Sequence, residues 1–170
     1  MSMCIYHGNC ADGFGAAWVV RKALGEIDFH PGKYQEPPPD VTGKDVVMVD
    51  FSYKRPVLLE MAEKANSILI LDHHKTAVED LIDLPANVTA KFDMGHSGAM
   101  LTWEHFFPGQ EPPPLLLHIE DRDLWRFALQ NTRQISRWYR VTRGVSTSRV
   151  ARLLMQAEEE ARSNMCTCTI

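Results

Sequence analysis

Apolar positions along this chain alternate between short continuous runs and helical spacing. Met3–His7 reads as a short buried strand, and Ala16-Ala17-Trp18-Val19-Val20 as a buried helix starting near Gly13. Ile27–Phe29 predicts a second strand, and the prolines of Pro31–Gly43 predict a loop. Val46–Val49 is a strongly apolar strand ending at Asp50. Leu58, Met61, Ala62 and Ala65 repeat at helical spacing. Ile68–Leu71 is another buried strand ending at Asp72, and Val88–Phe92 a further one. Ser97–Phe107 predicts a helix capped by Ser97, and Pro112-Pro113-Pro114 opens a helix carrying Leu115–Ile119. Val150, Leu153, Leu154 and Ala157 mark a last amphipathic helix.

Strands alternating with helices, and apolar throughout, predict an α/β fold: a parallel sheet with helices on both faces. Such sheets bind ligands beyond the carboxyl ends of their strands. His7, Asp50 and Asp72-His73-His74 stand at three such ends, so a site is expected on that edge.

Composition narrows the class. The chain has 170 residues, enough for one compact domain with a sizeable core. Hydrophobic residues make up 45% and charged residues 24%, ordinary globular values that argue against disorder. No apolar run approaches the roughly 20 residues that span a bilayer. The N-terminus has no basic, apolar leader pattern, and four cysteines split between the chain ends are no disulfide scaffold. A soluble, cytoplasmic protein is expected. The net charge of −4 argues against a wholly basic nucleic-acid binder. The distribution is uneven: from Arg122 to Arg152 there are eight arginines, and Asp123 is the only acid among them. That stretch reads equally as a face for a polyanion or as a solvated face balanced by Glu158–Glu160.

The candidate chemistry lies in His7, Asp12, Asp50, Asp72, His73, His74 and Asp121. Oxygen and nitrogen donors of this kind suit Mn²⁺, Mg²⁺, Fe²⁺ or Co²⁺ better than a closed structural zinc site. Carboxylates converging on one cleft repel, and divalent metal removes that cost. Gly8–Gly15 enters a helix and offers amides to an anion, but meets no Rossmann or Walker pattern. His30, His105 and His118 read as surface or core histidines.

Four segments, His7-Gly-Asn-Cys-Ala-Asp12-Gly13, Val49-Asp50-Phe51-Ser52, Leu71-Asp72-His73-His74 and Ile119-Glu120-Asp121-Arg122-Asp123-Leu124-Trp125, occur in order. Together they resemble the four motifs of the DHH phosphoesterases. The segment His96-Ser97-Gly98-Ala99 followed by Trp103–Pro108 is similar to the oligoribonuclease-like branch of that family. The resemblance covers about residues 3–140 and implies a Rossmann-like catalytic domain over residues 1–145.

By that resemblance His7, Asp12, Asp50, His73 and Asp121 are metal ligands, with Asp50 bridging two ions. Asp123 competes with Asp121 for its place. Asp72 orients the histidine pair, and His74 contacts the phosphate or protonates the leaving oxygen. Arg122, Arg126 and Ser97 are expected at the substrate, and His96 either touches substrate or caps its turn. The implied cofactor is Mn²⁺, or Mg²⁺ or Co²⁺, as one or two ions. The implied reaction is hydrolysis of phosphodiester bonds in short single-stranded oligonucleotides or nucleotides. The aromatic residues Trp125, Phe127, Trp138 and Tyr139 favour nucleotides, because bases stack on rings. Inorganic pyrophosphatase chemistry is the runner-up. A domain remnant that binds metal and nucleotide but needs a partner to turn over is a further alternative.

Two departures stand out. Cys10 occupies the place of a first carboxylate, as a softer ligand or an inert residue. Residues 146–170 read as a helix and tail, with no second substrate-binding domain. The stripe Val150–Ala157 would pack on its own sheet or form a homodimer seam.

Overall fold

The computed structural model describes residues 2–141, and the side chains of residues 2–137. Strands β1 (Ser2–His7), β2 (Asp28–Gly32), β3 (Asp45–Val49), β4 (Ser67–Asp72) and β5 (Val88–Phe92) form one sheet in the order β2-β1-β3-β4-β5. Every pairing is parallel. Helices α1 (Ala11–Leu24), α2 (Arg55–Ala62), α3 (Lys75–Asp80), α4 (Gly98–Phe106), α5 (Pro114–Asp123) and α6 (Thr132–Val141) complete the fold. It is an α/β, Rossmann-like architecture, as the apolar pattern predicts.

Strand alternation divides the core in two. Cys4, Val47, Val49 and Leu71 point to one face, where α1, α4 and α5 pack through Trp18, Val19, Leu101, Trp103, Leu116 and Ile119. Ile5, Val46, Met48, Ile68 and Ile70 point to the other, against Leu58, Met61 and Ala62 of α2 and Ala77 of α3. With both faces covered, β3 and β4 are apolar between their first residue and their carboxyl ends. Chain order reverses between β1 and β3, so the crevice expected of such sheets opens between their ends.

Several boundaries differ from the sequence reading. β2 continues through Pro31 and Gly32, which the prolines had suggested as loop. It is an edge strand, where the missing proline N–H costs no ladder bond. Helix α1 begins at Ala11, before Gly13, and α2 stops at Ala62, before Ala65. Helix α3 has only six residues, too short to show a period. The expected helix at Val150–Ala157, the tail with Cys166 and Cys168, the segment 146–170 and the side chains of Trp138 and Tyr139 lie outside the described residues.

Three glycines let the site edge close up. A Cβ on Gly13 would stand 2.2 Å from the His7 carbonyl oxygen. One on Gly98 would stand 2.5 Å from the Asp50 Cβ, and one on Gly32 would meet the Phe51 ring at 2.7 Å. Gly98→Ala therefore forces the start of α4 away from Asp50. It is expected to cost at least about 1–3 kcal/mol in chemical denaturation, with the α-helical circular dichroism of the folded state retained.

Candidate metal centre

Six side chains from five elements meet at the carboxyl edge of the sheet. His7 ends β1, Asp50 follows β3, and His73 and His74 follow β4. Asp12 comes from the first turn of α1 and Asp123 from the last residue of α5.

Asp50 is the hinge of the arrangement. It is 1% exposed, and its backbone adopts φ +53°, a left-handed conformation that costs a non-glycine residue free energy. Its amide still bonds the Leu71 carbonyl at 2.9 Å, so the strained turn is anchored to β4. Oδ1 lies 3.1 Å from His73 Nε2, and Oδ2 lies 3.4 Å from His7 Nδ1. Burial pushes the Asp50 carboxyl up, but His7 and His73 outweigh it and hold it at about 2. Reciprocally, the Asp50 carboxylate and then the Cys10 side chain lift His7 to about 10. Burial lowers His73, yet Asp50, Asp12 and Asp123 raise it to about 9.

Asp12 is fully buried. Its carboxylate accepts the Gly98 amide at 2.6 Å and the Ala99 amide at 2.9 Å, capping α4 from across the fold. Oδ2 also lies 3.6 Å from His73 Nε2. Burial, then Asp50 and Asp123, push its carboxyl well above the usual range. One carboxyl shifted up beside another held down is the signature of acids crowded into one dry site.

Ligand-type atoms fall into two groups that share Asp50: His7, Asp50 and His74 in one, Asp12, Asp50 and His73 in the other. Within each group these atoms lie within 4.8 Å of one another. His7 Nδ1 and Asp50 Oδ2 are buried and make no hydrogen bond in the described structure. Such orphaned atoms are costly unless something satisfies them. A divalent cation fits: the donors are imidazole nitrogen and carboxylate oxygen, with no thiol in either group.

Asp72 has another role. Oδ2 accepts the Ser52 hydroxyl at 2.9 Å. Oδ1 accepts the backbone amides of His73 and His74, and lies 2.6 Å from His74 Nδ1. These bonds shape the turn and hold the His74 ring.

Asp121 does not join the cluster. Its oxygens accept the amides of Ala128 and Leu129 and the Thr132 hydroxyl, and Thr132 also meets His118 Nδ1 at 2.9 Å. Burial pushes its carboxyl up, but Thr132 and the two amides outweigh this and hold it low. Asp123 stands at the site instead, with Oδ2 3.6 Å from His73 Nε2. Burial and then Asp50 raise its carboxyl. Two residues along a helix cannot share a face, so only one of the pair reaches the edge of the sheet.

The expected substrate side chains are largely engaged. Ser97 is completely buried and accepts the Met100 amide at 3.3 Å, capping α4. His96 Nδ1 lies 3.2 Å from Glu120 Oε2, which also accepts the Ser97 amide. Arg126 bonds Glu120 Oε1 at 3.0 Å and the Gly95 carbonyl at 2.7 Å. The His96 ring meets Glu120 and, at 3.6 Å, Glu104, while the cap of α4 is Ser97. Arg122 is half-buried and its charge acts on Asp123. Sequence reasoning missed Glu120, the hub of this network, and Tyr34. The half-exposed Tyr34 ring stands edge-on to His7 at 5.5 Å and packs on Phe51 at 5.0 Å. Its turn lies in the segment read only as loop, and pairing it with His7 requires the register of β2 on β1.

No family profile matches the chain. An uncharacterized protein of Acanthamoeba polyphaga mimivirus is 32% identical over 156 residues. The match covers 82% of this chain and 37% of the viral protein, so the chain spans little more than a third of that relative. The crystal structure of an uncharacterized protein from Helicobacter pylori is similar in fold, with a TM-score of 0.59 at 14% identity. The match covers 75% of this chain and 45% of that one. Among the described residues no helix is long and apolar enough to cross a membrane.

The two aspartates of α5 are separable by experiment. Asp121→Ala removes three accepted hydrogen bonds and is expected to cost about 2–3 kcal/mol of folding stability. Asp123→Ala is expected to leave the melting temperature nearly unchanged while weakening Mn²⁺ binding in calorimetry. Proton linkage gives a second check. Protonated imidazole cannot ligate a metal, and the metal-free protein holds His7 at about 10 and His73 at about 9. Mn²⁺ binding at pH 7.5 should thus release more than one proton, with affinity rising with pH. Calorimetry in buffers of differing ionisation enthalpy reads that number.

Proposed function

We propose that this chain is a divalent-metal-dependent phosphoesterase that hydrolyses phosphodiester bonds in short single-stranded oligonucleotides or nucleotides. One observation carries the reading: a single buried carboxylate, Asp50, is shared between two histidine-containing groups of ligand-type atoms. His7, Asp12, Asp50, His73 and Asp123 would hold Mn²⁺, Mg²⁺ or Co²⁺ as one or two ions. When bound, the metal supplies Lewis-acid polarisation of a phosphoryl oxygen and makes water acidic enough to serve as nucleophile near neutral pH.

The remaining work falls to the chain. Asp72 accepts from His74 Nδ1, which fixes the tautomer and leaves Nε2 to exchange a proton. His74 is one-third exposed, so Nε2 can meet a leaving oxygen at the mouth of the site. Asp12 ties the start of α4 to the site, and the Gly98–Asp50 contact leaves no room for water between them. The resemblance of the four ordered motifs to the DHH phosphoesterases supports the same chemistry.

The test is hydrolysis of a short RNA oligomer and of a generic phosphodiester, with Mn²⁺ and with chelator. Cleavage is expected only with metal. Asp50→Asn and His73→Ala should each lower it by at least about 100-fold, and His74→Ala by about 100- to 10,000-fold. Tight Mn²⁺ binding with no cleavage of either substrate would overturn the proposal.

A further inference from the structure

The segment after α5 displays an aromatic ring that the fold does not use. Trp125 is 73% exposed, the most exposed large hydrophobic side chain of the described residues. Its backbone has φ +59°, and Phe127 two residues on has φ +50°. Bulky residues avoid this region, and a strained backbone persists only where its surroundings over-determine it.

Here the surroundings do. The amides of Arg126 and Phe127 both bond the Asp121 carbonyl, at 2.9 and 3.1 Å. The Asp121 carboxylate accepts Ala128, Leu129 and Thr132. Arg126 is clamped to Glu120 and Gly95. The turn is thus wound around one buried residue and held from both sides. Its product is an open indole. Phe127 meets Trp125 edge-to-face at 4.9 Å, and the Arg133 guanidinium lies over the Phe127 ring at 3.8 Å. The face of Phe127 is taken by that cation, while Trp125 remains open to solvent.

Location gives the ring its meaning. Trp125 is two residues from Asp123, so their Cα atoms are no more than about 7–8 Å apart. Asp123 in turn reaches His73 at 3.6 Å. An exposed indole on a fixed turn within one nucleotide's reach of the proposed phosphate site is placed to hold the base of the same nucleotide. Stacking on an aromatic face tolerates any base. Asp121 and Glu120, which the chemistry does not use, acquire a purpose as the frame of this turn.

We propose that Trp125 is the stacking subsite for the nucleobase of the substrate, adjacent to the metal centre. The inference rests on the phosphoesterase reading and narrows it: the substrate carries a base, so inorganic pyrophosphate is not the preferred one.

The experiment uses the full chain with Mn²⁺ and compares adenosine 5′-monophosphate with ribose 5-phosphate, which carries a hydroxyl in place of the base. Wild type, Trp125→Phe and Trp125→Ala are titrated by calorimetry. Wild type should bind the nucleotide about tenfold more tightly than the sugar phosphate. Trp125→Ala should lose that preference while binding ribose 5-phosphate as before, and Trp125→Phe should keep part of it. Equal binding of the two ligands by wild type, or a preference that survives in Trp125→Ala, overturns the subsite. RNA hydrolysis is scored separately. A Trp125-dependent preference without hydrolysis upholds the subsite and defeats the phosphoesterase reading, and hydrolysis without the preference does the reverse. The indole is exposed, so Trp125→Ala should unfold at the wild-type temperature, which separates lost stacking from lost fold.

Discussion

The buried Asp50 carboxylate, shared between His7 and His73, is the interaction on which the rest of the site depends. A carboxylate with almost no access to water survives as an anion only where positive charge faces it. Here each oxygen faces an imidazole, and each imidazole is raised in return. The arrangement requires a backbone turn in the left-handed region, a glycine at position 98, and β1, β3 and β4 ending at the same level. Two of its buried atoms still lack hydrogen-bond partners. The fold therefore leaves two buried donor-type atoms unsatisfied beside the two groups of ligand-type atoms that share Asp50.

Around Asp50 the other acids divide their labour by what they accept. Asp12 takes two amides of α4 and keeps one oxygen near His73. Asp72 spends its capacity on Ser52 and on the His73–His74 turn. Glu120 and Asp121 are occupied by the turn that follows α5. Asp123 accepts none of these framework bonds and faces His73. Asp72, Glu120 and Asp121 are engaged in the frame, Asp12 serves both the frame and the cluster, and Asp123 faces the cluster alone. Chemical type alone does not tell these roles apart, because all are carboxylates.

That division explains where sequence reading succeeded. The apolar runs ending in His7, Asp50 and Asp72-His73-His74 revealed a parallel sheet and the edge that would carry chemistry. They could do so because strands buried on both faces confine polar side chains to their ends. The ordered motifs added the ligand types. Asp121 and Asp123 were harder. Two carboxylates two positions apart on a helix point different ways, and which points inward depends on the rotation of α5 against α1 and α4. Tyr34 and Glu120 were invisible for a related reason: each matters through a partner distant in sequence, His7 in one case and Ser97 in the other.

Periodicity and turn residues were enough, on their own, for the α/β class, the central strands and the edge where His7, Asp50 and His73 gather. Those features are local, and burial imposes them residue by residue. The tertiary structure decided which acid faces His73, that His96, Ser97 and Arg126 belong to a supporting network, that β2 runs through a proline, and that Trp125 stays open. These outcomes turn on helix rotation, strand register and competition for a few hydrogen-bond donors. Such choices are made only when distant segments are brought together, so no local pattern in the chain records them.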